Sequence, residues 1–214
     1  MINPSQPTDW RQGRRRSAQD AIVRAAWVLV GEVGLAGLSL RDLARQAGIT
    51  TPTVYAYFES KNAIYDAMFG QAATEFAEKM AEPIDGDEPG AQLVAYVHRF
   101  VEFCIGDPAR YQLLFQRTLP GFEPSPEAYA PAILSLANTQ RLLVLNRVTE
   151  ARHLDLWTAL ITGLVDQQVS NDPGGNRWTG LIGESVDMFL AHCQRHPASK
   201  KPSPRPNPTG GTRS

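Results

Sequence analysis

Cysteine, histidine and long apolar runs are all scarce in this 214-residue chain, and each scarcity removes a class of function. Its two cysteines, Cys104 and Cys193, lie far apart within apolar helical patterns, with no Cys-x-x-Cys spacing. They read as reduced core thiols of a cytoplasmic protein rather than as a staple or a metal site. The four histidines, His98, His153, His192 and His196, are scattered over separate helices or their ends and form no His-Glu-x-x-His pair. A Gly-rich phosphate loop after a strand and a Gly-x-Ser-x-Gly elbow are missing too, so the sequence predicts no enzyme, no cofactor and no metal. Acidic pairs such as Asp166 with Asp172, or Glu184 with Asp187, read as solvated faces or helix-end charges. No apolar run approaches the roughly 18 residues of a membrane span, and Met1 to Trp10 is too polar for a signal peptide. The expectation is a soluble protein with no membrane partner.

An excess of positive charge is also missing. With 21 basic and 22 acidic side chains the net charge is −1, so nucleic-acid binding would need a local concentration of cations. Residues 9–61 supply one: eight basic groups (Arg11, Arg14, Arg15, Arg16, Arg24, Arg41, Arg45, Lys61) stand against five acidic ones (Asp9, Asp20, Glu32, Asp42, Glu59), a net of +3.

What is present is a 43% hydrophobic composition patterned at helical spacing, without sustained two-residue alternation, which predicts an all-α protein. Residues 1–16 read as a flexible basic arm and 196–214 as a disordered Pro-rich tail. A first helix should begin after Ser17, with Ile22, Ala25, Ala26, Leu29 and Val33 tracing one face, and close at Gly34. Ser39, followed three residues later by Asp42, opens a second helix over Leu40 to Gln46. A third starts at Thr50, and a fourth runs from about Ser60 to Glu82, before a polar linker at 85–90. A fifth carries Leu93, Val97, Phe100, Val101 and Cys104, and Asp107-Pro108 opens a sixth. Pro120–Pro131 reads as a loop, followed by a helix to about Ala151. Two last helices, at 154–170 and 177–194, should form an antiparallel hairpin.

The segment 39–57 meets the steric demands of a helix-turn-helix. Ala44 permits a close helix crossing, Gly48 can take the positive φ of a tight turn, and Leu43, Ala47, Ile49 and Val54 supply a buried seam. Thr50 caps the second helix of the pair, with Pro52 in its first turn, and Thr51, Thr53, Tyr55 and Tyr57 occupy the exposed face. Leu38-Ser39-Leu40-Arg41-Asp42-Leu43-Ala44-Arg45-Gln46-Ala47-Gly48-Ile49-Thr50, followed by Thr53-Val54-Tyr55-Ala56-Tyr57-Phe58-Glu59-Ser60-Lys61, closely resembles the tetracycline-repressor (TetR/AcrR) family over roughly residues 17–70. The Tyr-x-Tyr-Phe-x-x-Lys ending is more restrictive than a generic helix-turn-helix.

That resemblance implies a DNA-binding domain at 17–62 and a helical ligand-binding and dimerisation domain at 63–195. Thr51, Pro52 and Tyr55 would face base edges, with Arg41 reaching a guanine or a phosphate. Ser39, Thr53, Tyr57 and Lys61 would hold phosphates, and Thr50 completes the DNA-binding set as the cap. Phe58 belongs to the core. Arg14–Arg16 either track the minor groove or the backbone, or are solvated. The implied function is a transcriptional regulator, a repressor on a palindromic double-stranded operator, working as a homodimer and released by an unidentified small-molecule effector. An activator of the same fold is the alternative; a helical enzyme and a protein-interaction module are the rival classes. Family members dimerise through this region, and Trp157, Ile161 and Leu164 with Trp178, Ile182, Val186 and Phe189 have the composition for a four-helix interface, or else complete the monomer core. Phe100, Phe103, Tyr111, Phe115 and Trp157 are the candidate pocket walls.

Overall fold

Side-chain oxygens set most helix starts in this chain. Ser39, Thr50, Ser60, Asp107 and Ser125 each accept the backbone N–H of the third residue on, satisfying a donor that the first turn leaves free. The computed structural model describes residues 9–196. These form α1 (Asp9–Gly37), α2 (Leu40–Gln46), α3 (Thr51–Tyr57), α4 (Lys61–Ala81), α5 (Pro89–Gly106), α6 (Pro108–Phe115), α7 (Pro126–Leu145), α8 (Ala151–Asn171) and α9 (Ile182–Arg195), the last entered through a single 3-10 turn. There is no strand among the described residues, and no helix is long and apolar enough to cross a membrane.

α1 is already helical at Asp9, nine residues before the expected start after Ser17, so Arg11 and Arg14–Arg16 ride on a helix rather than on a flexible arm. The rest of that arm (1–8), and the Pro-rich tail from 197 onward, lie outside the described residues. Gly34 does break the helix, at φ +73°, and one further turn leads to Gly37. Val33 points outward at 48% exposure, and Val30 takes the core position in its place. The 120–131 loop is also shorter than expected. α7 begins at Pro126 because Asp66 of α4 accepts both the N–H (2.6 Å) and the hydroxyl (2.8 Å) of Ser125, anchoring the cap, and Pro131 is carried inside the helix at the loss of one backbone bond. The far end stops at Leu145, where Arg147 takes a positive φ of 63°.

Two apolar cores share α4. The first gathers Ile22, Ala26, Leu29 and Val30 of α1, Leu43, Val54 and Phe58, and Ile64, Met68 and Phe69 of α4, together with Leu113 of α6 and Ala128 of α7. The second takes Phe76 and Met80 from the end of α4 and adds buried residues of α5 and α7 to α9. Gly70 lets α7 lie close along α4, since a Cβ there would stand 3.4 Å from Ala128 Cα.

The second core corrects the proposed interface. Trp157, Ile161 and Leu164 of α8 and Ile182, Val186 and Phe189 of α9 are at most 8% exposed within the single chain, so they complete its own core and cannot form a surface between copies. Trp178 is half-buried at the turn into α9, where the Gln168 side chain accepts the backbone N–H of Trp178 and of Thr179. What α8, α9 and the turn into α9 leave exposed is a different set, led by Leu156, Leu181 and Met188.

Candidate nucleic-acid interface and adjoining cleft

α2 and α3 are short, and their placement rests on locked ends. Ser39 accepts from Asp42 N–H (3.1 Å) and donates its hydroxyl proton to the Asp42 carboxylate, which also takes a bond from Arg45 (2.7 Å). The Ser39 hydroxyl, then the nearby Arg45 and Arg41 charges, hold the Asp42 carboxyl below its usual range. Gly48 turns the chain at φ +68°, and Ile49 N–H returns to Ala44 carbonyl (2.9 Å). Thr50 then starts α3, its hydroxyl 2.8 Å from that of Thr53. Val54 is fully buried beneath, so the opposite face of α3 is fixed outward: Pro52 and Tyr55 are exposed, Thr51, Thr53 and Tyr57 half-exposed.

The far end of α3 is held by α1. Arg15 donates to Ala56 carbonyl (3.2 Å) and Gln19 to Tyr57 carbonyl (3.3 Å), and the Arg15 guanidinium lies over the Tyr57 ring at 5.6 Å. This tie was not foreseen, because it needs the helical extension of α1 that puts Arg15 and Gln19 on one face, four residues apart. Arg15 is thus a structural clamp, whereas Arg11 and Arg14 flank the exposed Trp10 ring at 5.3 and 3.8 Å. Arg41 is exposed on α2, and Lys61 stands in the first turn of α4 with its ammonium 5.4 Å from the Tyr65 ring. Burial pushes the Tyr65 phenol up to about 12, so it stays protonated and donates to Leu35 carbonyl (2.6 Å), holding α4 to the end of α1.

Arg41, Thr51, Pro52, Tyr55 and Lys61 therefore sit on a positively charged end built from α2, α3 and the start of α4. Ser39, Thr50 and Thr53 serve first as caps, with remaining lone pairs and backbone donors toward solvent. The arrangement presents hydroxyl, ring and cationic groups together, suited to base edges flanked by phosphates.

In the second half, a cleft of about 590 Å³ lies between α4, α5, α7 and α8. Three of the five expected wall residues line it: Phe100, Phe115 and Trp157. Phe103 instead packs on Phe76 at 5.0 Å, and Tyr111 is buried, donating to Asp166 (2.6 Å), which Gln116 also bonds (2.7 Å). Sequence reasoning did not find the contribution of α7, Tyr129 through Thr139: Tyr129 falls in the expected 120–131 loop, and the rest, on the helix expected after it, carry no local sign of which face borders a cavity.

The family model described as bacterial regulatory proteins, tetR family, matches residues 22–68. The HTH-type transcriptional regulator Rv1816 of Mycobacterium tuberculosis is 29% identical over 128 residues, 56% of this chain and 54% of its own length. The chain thus spans about half the length of the curated relatives it matches. A tetR-family transcriptional regulator from Streptomyces coelicolor shares the fold with a TM-score of 0.66 at 21% identity, over 84% of this chain and 82% of its own. The regulator FadR of Bacillus subtilis, solved with stearoyl-CoA, does so at 0.64 and 18%, over 80% and 97%. With this head, this fold and these relatives, residues 22–68 match the tetR family of bacterial regulatory proteins, and the chain as a whole is similar to tetR-family regulators in fold.

Proposed function

We propose that the protein is a homodimeric repressor that reads a palindromic DNA operator through α2 and α3 and releases it when a small molecule occupies the α4–α8 cleft. The observation that carries the reading is the outward face of α3, with Thr51, Pro52 and Tyr55 beside Arg41 and Lys61 on a helix capped at both ends. Seven residues of helix span only about 10 Å, enough for a few base pairs, so specificity requires a second copy one helical turn away. The exposed apolar residues Leu156 on α8, Leu181 in the turn before α9, and Met188 and Ala191 on α9 are the surface we assign to that pairing, replacing the buried residues first considered.

Release by a ligand is supported by the cleft's position. Phe76 lines it on the same helix whose earlier turns complete the head's core, so a ligand favouring one tilt of α4 favours one spacing of the two heads. FadR with its acyl-CoA is a protein of this fold holding a small molecule. Selection of random duplexes by the purified protein tests the reading. An enriched palindrome whose affinity falls steeply with salt is expected, bound by a species of twice the chain mass. Enrichment of an undivided half-site by a monomer would overturn the dimeric mechanism.

A further inference from the structure

The chemistry of the cleft wall restricts what can bind there, and resting on the ligand-release reading above, we infer that the effector is a lipophilic molecule that is cationic or neutral, not an anion. Most of the lining is aromatic or aliphatic, including Phe76, Phe100, Phe115, Tyr129, Ile133 and Trp157. Polar groups come from three helices. On α5 and α7, Tyr96 hydroxyl lies 2.9 Å from Thr139 Oγ1, and next to them Ser135 is 3% exposed with its Oγ buried and without a partner. On α8, the hydroxyls of Thr158 and Thr162 return to helix carbonyls, at Leu154 (2.9 Å) and Thr158 (2.7 Å). Ser135 is therefore the polar lining side chain with its hydrogen-bonding capacity unused, and a buried polar group left so is costly until a partner arrives.

Among the described residues, Asp155 on α8 is the only formally charged side chain lining the cleft, and it is exposed. It makes no ion pair among the described residues, and no lysine or arginine lines the space. The nearest base along α8, Arg152, donates instead to His196 carbonyl (3.3 Å). A carboxylate or phosphate placed here would leave water for apolar walls and meet Asp155 with like charge; a protonated amine would gain that carboxylate. The apolar body of such a ligand fills the aromatic cleft, its ammonium pairs with Asp155, and a hydroxyl, carbonyl or second nitrogen engages Ser135.

Three fluorescent probes with one skeleton separate these terms: 1-pyrenemethylamine, 1-pyrenemethanol and 1-pyrenecarboxylate, titrated into the full-length protein at pH 7. The amine is expected to bind at least about tenfold more tightly than the carboxylate, with the alcohol between. Asp155→Asn should bring the amine down to the alcohol without changing the alcohol, and Ser135→Ala should weaken the alcohol without altering the amine-to-carboxylate ratio. Circular dichroism checks that both variants are folded. A carboxylate that binds as well as the amine, an unchanged preference in folded Asp155→Asn, or no probe binding at all overturns the assignment. If the amine binds as expected but leaves operator affinity untouched, the assignment holds and the ligand-release reading falls.

Discussion

At the scale of single residues, side chains of similar chemistry are separated by what each is already bonded to. Lys61 and Tyr55 both belong to the proposed DNA-facing end, yet Lys61 offers a point charge at a helix start and Tyr55 an exposed ring on the outward face of α3. Lys61→Ala should weaken binding to every duplex alike and lower the salt slope by about one counterion. Tyr55→Ala or Thr51→Ala should change the enriched sequence at one or two positions, which a repeated selection would reveal. An equal, sequence-independent loss from all three would refute the division. Arg15 belongs with neither. Arg15→Ala removes the bond to Ala56 carbonyl and should cost about 1 kcal/mol of stability in urea unfolding, with a salt slope close to wild type.

Among the elements, those whose signals are local were legible from sequence. α2 and α3 appear where Ser39, Gly48 and Thr50 put them, because a cap and a positive-φ turn are decided within four residues. Gly48→Val should therefore destabilise the head by at least about 1–2 kcal/mol and abolish operator binding at 37 °C. The start of α1 and of α7 depended instead on bonds to residues 41 and 59 positions away, Arg15 to Ala56 and Ser125 to Asp66, which no local window contains. The α7 wall of the cleft, from Ala132 to Thr139, lies within the helix expected after Pro131, but which of its faces borders a cavity is decided by packing against other helices and not by local pattern. The α8 and α9 stripes were correctly seen as apolar, but periodicity gives the buried face of a helix without saying whether its cover is the same chain or another. Trp157 and Phe189, with ring centroids 4.9 Å apart, cover each other within one chain.

For the whole molecule, assembly and pH response follow from what remains outside. Leu156→Glu combined with Met188→Glu changes exposed residues only, so the fold should persist while light scattering reports a monomer and operator affinity falls at least about tenfold. The other end of the α8–α9 pair carries His153, His192 and His196, with ring centroids 6.0 and 4.7 Å apart in sequence order. Partial burial, then His196, His153, Arg195 and Arg152, holds the His192 pKa below its ordinary 6.5. A lowered folded-state pKa means that the unfolded chain binds the extra proton first, so stability falls as pH drops through and below 6.5. His192→Gln should flatten the urea midpoint between pH 7 and 5; a wild-type midpoint that rises on acidification would show the opposite linkage.

Leu113 and Ala128 have a consequence for modularity. Both lie far along the chain, in α6 and α7, yet they close the core under α1 and α4. A chimaera cut at residue 62, joining this head to the body of a relative, would receive another protein's side chains in those two positions and at Ile64, Met68 and Phe69 of α4. The boundary that a sequence comparison draws is thus not one along which evolution or an engineer can exchange parts freely. Transplanting the operator preference of this protein would require moving α3 alone, by its outward residues, or carrying the core face of α4 together with Leu113 and Ala128 along with the head.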